Sequence, residues 1–242
     1  MNFIKCFPKD THGEAPTSGS ILLAALLLKL GGIGLLRWLI PLLPFGYFYY
    51  RPLLFVLGLI STIYASLTTL RHIDAKKLIA YSSIAHMGLV LIGIISLSEI
   101  GWKGTIYLLI SHGFVSSLLF LLIGSLYIRT GTRIIIYYRG LANLMPLFSL
   151  FFFISLILNA SLPPSLSFFA EFFIVQGALL YEIVGVLNLL LALFLSGAYS
   201  ILLFCRMIFS TPYLNYYKDL TLREFLILIP LVFFSVAFTF IL

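Results

Sequence analysis

Four titratable side chains stand inside long apolar runs of this sequence. Lys29 lies in Leu26-Leu27-Leu28-Lys29-Leu30-Gly31-Gly32, His86 in Ile84-Ala85-His86-Met87-Gly88, His112 in Ile110-Ser111-His112-Gly113-Phe114, and Glu171 in Phe168-Phe169-Ala170-Glu171-Phe172-Phe173. An amine, two imidazoles and a carboxyl are groups that take up and release protons. Imidazole suits a relay, because it titrates near neutral pH and its two nitrogens can pass a proton between neighbours. Each group is costly where it stands: a charge at the centre of a membrane helix costs about 2.5–3.5 kcal/mol on insertion scales. Lys29 is about ten positions, or roughly 15 Å of helical rise, from either end of its run. Other readings exist for each residue taken singly: snorkelling for Lys29, a structural ion pair for Glu171, hydrogen-bonded packing for the histidines. Their occurrence together points to proton movement through a membrane.

The neighbours fit that chemistry. Ser82, Ser83, Ser111, Ser116 and Ser117 surround the two histidines in sequence, and small hydroxyl residues allow close helix contact and can hold water. No two His, Cys or acidic residues stand at helical ligand spacing within a run, and Cys6 and Cys205 are far from the histidines, so no metal site is expected. There is no phosphate-cradling glycine loop and no haem-binding Cys-x-x-Cys-His; Gly31-Gly32-Ile33-Gly34 falls mid-run, where it serves packing. No cofactor and no covalent chemistry are expected on this chain.

Membrane helices must position these groups. Of the 242 residues 62% are apolar and only 10% are charged, against about 25% charged in globular chains, which excludes a soluble domain and a disordered chain. At about 20 apolar residues per crossing, the length accommodates roughly seven. The runs are 19–40, closed by Pro41 and Pro44, then 52–70, 78–97, 104–128, 141–181, 184–209 and 225–242. All are expected to be helices, since an open sheet would leave backbone groups unpaired in lipid. The fold is therefore read as all-α and integral to the membrane: a polar segment, residues 1–18, precedes a single polytopic domain, residues 19–242. The polar segment has no apolar core before a small-residue cleavage site, so no cleavable signal is expected. The run 141–181 has twice the length of one crossing, but Asn159-Ala160-Ser161-Leu162-Pro163-Pro164 interrupts it. Two consecutive prolines remove two amide donors and push the residues before them out of the helical region. Unwound backbone at membrane depth is tolerated where it lines a cavity, and Glu171 follows this break.

Charge decides whether the interrupted run crosses once or twice. The net charge of +7 is scattered through connections and forms no groove-following patch for nucleic acid. Lys and Arg concentrate in cytoplasmic or matrix-side connections. A single broken crossing puts eleven basic residues on one side, namely Lys5, Lys9, Arg71, Lys76, Lys77, Arg129, Arg133, Arg139, Arg206, Lys218 and Arg223, and three on the other, Arg37, Arg51 and Lys103. Two crossings would move Arg206, Lys218 and Arg223 and reduce the ratio to eight against six. The single broken crossing is preferred, and a hairpin of two full spans is the alternative. The 23 Phe and 14 Tyr, with abundant Ile and Leu, are residues of AT-rich codons and point to an organelle-encoded chain.

Several blocks carry a resemblance. They are His12-Gly13-Glu14-Ala15-Pro16-Thr17-Ser18, the run from Leu26 to Arg37, Asp74-Ala75-Lys76-Lys77-Leu78 through to His86-Met87-Gly88, Ser111-His112-Gly113, Arg129-Thr130-Gly131-Thr132-Arg133, Leu162-Pro163-Pro164 with Glu171, Tyr199-Ser200 and Arg223-Glu224-Phe225. In this order and over nearly the whole chain the sequence resembles the subunit 4 family among the antiporter-like membrane-arm subunits of respiratory NADH:ubiquinone oxidoreductase, complex I. The resemblance implies that Lys29 is the central lysine of the eighth family helix and that His112 links it towards the second half-channel. Glu171 would be the acid of the broken twelfth helix, and His86 a histidine of the tenth. Sister subunits generally carry a lysine at the position of Glu171. The chain would then hold the eighth to fourteenth helices, the second of two inverted repeats with its flanking helices.

Further expectations follow from that resemblance. The chain would be a non-redox subunit of a proton-translocating NADH:ubiquinone reductase in the inner mitochondrial membrane, with NADH, FMN, iron-sulfur clusters and ubiquinone held by other subunits. A bacterial inner membrane is the less favoured setting. Its partners would be other membrane-arm subunits, including sister antiporter-like ones, and membrane lipids. Family members are about twice this length, so with Met1 opening the chain the expectation is a split gene whose separate product supplies the front half. Lys5 superficially matches a seventh-helix lysine, but only across a deletion of about a dozen residues, and that role is not transferred to it. The rival readings are a stand-alone cation/proton antiporter and a structural scaffold with a vestigial half-channel.

Overall fold

The computed structural model describes residues 16–209 and 218–241; Lys5, Lys9 and most of the polar amino-terminal segment lie outside the described residues. The helices are α1 (Thr17–Leu42), α2 (Pro44–Arg71), α3 (Ala75–Ile95), α4 (Glu99–Thr130), α5 (Pro146–Asn159), α6 (Leu166–Leu179), α7 (Ile183–Ile208) and α8 (Leu222–Ile241). Among the described residues six of these are long and apolar enough to cross a membrane, while α5 and α6 are each too short to do so alone. The chain is thus an all-α multi-pass membrane protein with one broken crossing.

Local chemistry explains most of the boundaries. Ser98 caps α4 by accepting the Gly101 amide at 3.0 Å, and Gly131, with φ of 70°, closes it in the left-handed region that glycine adopts freely. Thr221 and Glu224 form a reciprocal capping box at α8, where the Thr221 amide donates to Glu224 Oε2 at 2.8 Å and the Glu224 amide to Thr221 Oγ1 at 3.4 Å. The start of α2 corrects the reading from sequence. The helix begins at Pro44 and runs through Pro52, although the second run was placed at 52–70. Pro52 removes one intrahelical bond, but the turns before it are held from outside. The Tyr47 hydroxyl donates to Ile94 O at 3.1 Å, and Arg51 donates to Ile95 O at 2.9 Å and to Ser96 O at 3.1 Å.

The two ends of the molecule can be told apart by their contacts. At one end Arg129 grips both Glu224 oxygens, at 3.0 and 2.5 Å, and the Asp219 carboxylate accepts the Leu147 and Phe148 amides at 2.9 and 3.1 Å. An isolated antiparallel bridge between Asp74 and Ile134 ties the α2–α3 connection to the chain after α4 at that same end. At the other end the Arg51 guanidinium lies 3.9 Å from the centre of the Tyr181 ring. The segment that starts beside Asp219 therefore finishes beside Arg51, so α5 and α6 together cross once. The basic residues flanking Glu224 and Arg129 share one end, as the charge distribution required.

The apolar interior falls into two clusters. The one at the basic end joins Leu78, Leu118, Leu122, Phe148, Phe152 and Leu203; the other joins Phe55, Ile92, Ile95, Leu108, Ile174 and Leu189. Between them α3 and α4 carry Ser82, Ser83, His86, Ser111, His112 and Ser116, all buried. Glycines let the helices around this layer approach closely. A Cβ on Gly104 of α4 would stand 2.8 Å from Ala170 O, 2.9 Å from Phe173 Cβ and 3.0 Å from Ile174 N, all on α6 next to Glu171. Since two of those atoms are backbone, the helices must separate. Gly104→Ala is expected to destabilise the fold by about 1–3 kcal/mol through overpacking, read as a lowered thermal unfolding midpoint in detergent. An unchanged midpoint would show that α4 and α6 can slide apart freely.

Candidate functional site

Lys29 enters the interior from a helix that otherwise faces outward. Leu26, Leu27, Leu30 and Ile33 of α1 are 61, 56, 60 and 46% exposed, whereas Lys29 is 7% exposed. A π-helical turn, Leu23–Leu27, precedes it. Such turns change the register of a helix and are frequent at functional sites. Here the Lys29 ammonium donates back to Ala24 O, five residues earlier, and to Ser116 Oγ on α4 at 3.4 Å. Ser116 lies one turn beyond His112 on the same face of α4. Gly113 lies against this side chain: a Cβ there would stand in ordinary contact, 3.9 Å from Lys29 Cε.

From His112 the row continues across helices. The His112 and His86 rings have centroids 5.3 Å apart at an interplanar angle of 49°. His86 Nδ1 of α3 then lies 3.3 Å from Glu171 Oε1 of α6. His86, His112 and Glu171 are 3, 4 and 5% exposed, so the three groups face protein. The structure thus brings all four residues singled out from the sequence into one buried region: His112, His86 and Glu171 form a row, and Lys29 adjoins it through Ser116. Both ring nitrogens of His86, Nδ1 of His112 and Oε1 of Glu171 are buried without a well-aligned hydrogen bond. The His86–Glu171 contact is therefore of ion-pair length but not of hydrogen-bond geometry. Buried polar groups in this state are what internal water normally satisfies.

The helix break is held open by serine side chains. Ser165 caps α6 by accepting the Phe168 amide at 3.2 Å, and Ser167 Oγ donates to Leu158 O, one of the last carbonyls of α5, at 2.8 Å. Ser161 takes a φ of 53° in the connecting turn. These bonds add side-chain partners to half-helix ends whose backbone groups are also bonded locally, the Ser161 amide to Leu158 O at 3.3 Å and the Phe168 amide to Ser165 O at 3.1 Å. Glu171 is thereby fixed one and a half turns into α6, with Ala170 and Ile174 buried on either side of it.

Two residues escaped the chemical reading of the sequence. Tyr199 of α7 is buried, and its hydroxyl faces Glu171, Asn159 and Ser82 without a well-aligned hydrogen bond. Its only mark in the sequence is its small neighbours, Gly197-Ala198-Tyr199-Ser200. Lys76 was counted as a connecting-loop charge, yet it is 4% exposed in the first turn of α3, while the side chain of its neighbour Lys77 is 41% exposed and pairs with Asp74 at 3.5 Å. Nothing in the local sequence separates these two lysines. Among the described residues no three His, Cys, Asp or Glu side chains converge as metal ligands would.

A family profile described as the transmembrane region of NADH:quinone oxidoreductases and Mrp antiporters matches residues 4–200. The chain belongs to this family. Antiporter-family relatives include NADH-ubiquinone oxidoreductase chain 4 of Chondrus crispus, 48% identical over 92% of this chain and 46% of its own length, and that of Marchantia polymorpha, 46% identical over 92% and 46%. The chain spans about half the length of the curated relatives it matches. Among solved structures, a chain of respiratory complex I from Thermus thermophilus superposes with a TM-score of 0.86 at 30% identity, over 93% of this chain and 47% of that one. A chain of the Mrp complex from Dietzia sp. DQ12-45-1b shares the fold, with a TM-score of 0.78 at 22% identity over 87% and 40%.

The serine bonds at the break give a direct check on its energetics. Ser167→Ala removes one of the two donors to Leu158 O, leaving the Ser161 amide at 3.3 Å. It is expected to cost about 0.5–1.5 kcal/mol, the net worth of one hydrogen bond, measured as a loss of thermal stability of the purified membrane protein. A loss below a few tenths would mean that the Ser161 amide alone satisfies this carbonyl.

Proposed function

We propose that this chain provides the second half-channel of a proton-translocating, antiporter-like membrane-arm subunit of NADH:ubiquinone oxidoreductase, in the inner mitochondrial membrane. The observation that carries the reading is the buried row His112–His86–Glu171 with the Lys29 ammonium adjoining it at Ser116, one turn beyond His112, which gathers an amine, two imidazoles and a carboxyl. Support comes also from the relatives, which are named as chain 4 of that oxidoreductase. In this reading the redox groups NADH, FMN, iron-sulfur clusters and ubiquinone belong to other subunits. A separate chain supplies the front half, and sister antiporter-like subunits are neighbours in the membrane arm.

The row can exchange protons by electrostatic coupling. An ammonium on Lys29 favours a carboxylate on Glu171, and loss of that proton favours the neutral acid. At an effective dielectric of about 20, opposite charges about 8 Å apart interact by about 2 kcal/mol. A factor of ten in protonation equilibrium corresponds to roughly 1.4 kcal/mol, so a change of charge on one group of the row shifts the protonation of its neighbour. The imidazoles between them accept on one nitrogen and donate from the other. His86, 3.3 Å from the carboxyl, can hold the proton as the imidazolium of an ion pair or pass it on to leave both groups neutral. Either state keeps the pair without net charge, which its burial demands.

Glu171→Gln keeps the shape of the side chain and removes its proton exchange. The assembled complex carrying it is expected to transfer electrons without translocating protons through this subunit, read as a lowered proton-to-electron ratio in proteoliposomes. A ratio equal to that of the unmodified complex would remove Glu171 from the path. The double variant Lys29→Ala, Glu171→Ala separates a working channel from a sealed scaffold. Pumping should fall in the former case and stay unchanged in the latter. A stand-alone antiporter would instead exchange Na⁺ or K⁺ for protons when this chain is reconstituted by itself.

A further inference from the structure

At the basic end, a cavity of about 660 Å³ opens to the surface beside the end of α7, the α2–α3 connection and the turn that follows α4. Its lining includes Arg139 and Arg206 together with Ile73, Ile135, Leu202 and Phe209, and the Cys205 thiol is among them. Arg206 stands in the last turn of α7 and Arg139 directly after the 3-10 turn Ile135–Tyr138, so both lie where a membrane helix meets water. Some arginines near the helix ends are engaged, Arg129 with Glu224, Arg51 with Ile95 O and Tyr181, Arg133 with the Tyr127 ring, whereas Arg139 and Arg206 are the two that line this cavity. Among the described residues Arg139 and Arg206 make no hydrogen bond, ion pair or ring contact. Beside them large apolar side chains stay uncovered, with Ile73 57% and Phe209 72% exposed. Unpaired cations above an uncovered apolar wall, at interface depth, match a molecule with an anionic head and an apolar tail.

We propose that this cavity binds the headgroup of an anionic phospholipid, with the phosphodiester held by Arg139 and Arg206 and the first part of the acyl chains laid against Ile73, Leu202 and Phe209. Guanidinium is suited to the role because its planar donors meet two phosphate oxygens at once. The site stands apart from the proton path. It involves none of Lys29, His86, His112 or Glu171, and it would hold if their assigned roles failed.

Cys205 is exposed inside this site and reports on its occupancy. The assembled complex containing the full chain would be delipidated, reconstituted in phosphatidylcholine alone or mixed with phosphatidylglycerol, and treated with N-ethylmaleimide, a neutral reagent that lipid charge does not repel. Mass spectrometry of the peptide containing Cys205 then gives its modification rate. Phosphatidylglycerol is expected to slow that rate, and the combined variant Arg139→Gln, Arg206→Gln to abolish the protection, with about a fivefold loss of lipid affinity per arginine. Arg206→Lys keeps the charge but loses the fork and should retain part of the protection. It serves in place of the double variant if that variant fails to assemble. Equal rates in the two lipids overturn the proposal, as does protection that survives in the combined variant Arg139→Gln, Arg206→Gln or that is undiminished in Arg206→Lys. Cys205 unreactive in phosphatidylcholine alone also overturns it, because protein would then already fill the cavity.

Discussion

The structure depends on keeping ionisable groups away from lipid in a chain that has little else to offer them. Lys29 and Glu171 lie on helices whose other faces are strongly apolar, and each is turned inward to meet polar atoms of α3 and α4. That requirement sets the arrangement of the helices. α3 and α4, which carry the histidines and most of the serines, must sit at the centre, and α1, α6 and α7 must surround them. The two apolar clusters then occupy the depths above and below the polar layer. Packing drives the association of the clusters, and the polar layer fixes the register in which they associate.

The break between α5 and α6 serves the same requirement. A continuous helix would offer Glu171 only side chains, since its backbone groups would all be bonded within the helix. Interruption at Ala160–Ser165 brings half-helix ends to mid-depth, and Ser165 and Ser167 bond the groups thus exposed. The Tyr199 hydroxyl lies near Glu171, Asn159 and Ser82. A polar pocket is built at membrane depth from residues that, taken one at a time, belong to apolar helices.

Much of this was legible in the sequence, and what was not has physical reasons. Lys29 and Glu171 stood out because a charge in an apolar run has no cheap explanation, and Pro163-Pro164 announced the break through its missing donors. The single crossing could be read from the basic residues alone, since Arg206, Lys218 and Arg223 had to join the majority. The start of α2 could not be read. Pro44 and Gly46 look like a turn, and only the distant acceptors Ile94, Ile95 and Ser96 hold Tyr47 and Arg51 in a helix through Pro52. Lys76 and Tyr199 were missed for a related reason. Their burial comes from tertiary neighbours, and the local sequence of a buried lysine at a helix start is the same as that of a solvated one.

The carboxylate of Asp219 caps the start of α5 from 72 residues further along the chain. The first amides of a helix have no acceptor within it, and the start of α5 receives its side-chain acceptor from the segment that leads into α8. During synthesis the half-helix α5 therefore emerges and enters the membrane long before its cap exists. The broken crossing is held in its final form once α8 begins to follow. Assembly of the region around Glu171 is in this sense timed by the segment that leads into α8, and a ribosome that has made α1 to α7 has made all four buried titratable groups but not yet the bond that anchors the broken crossing.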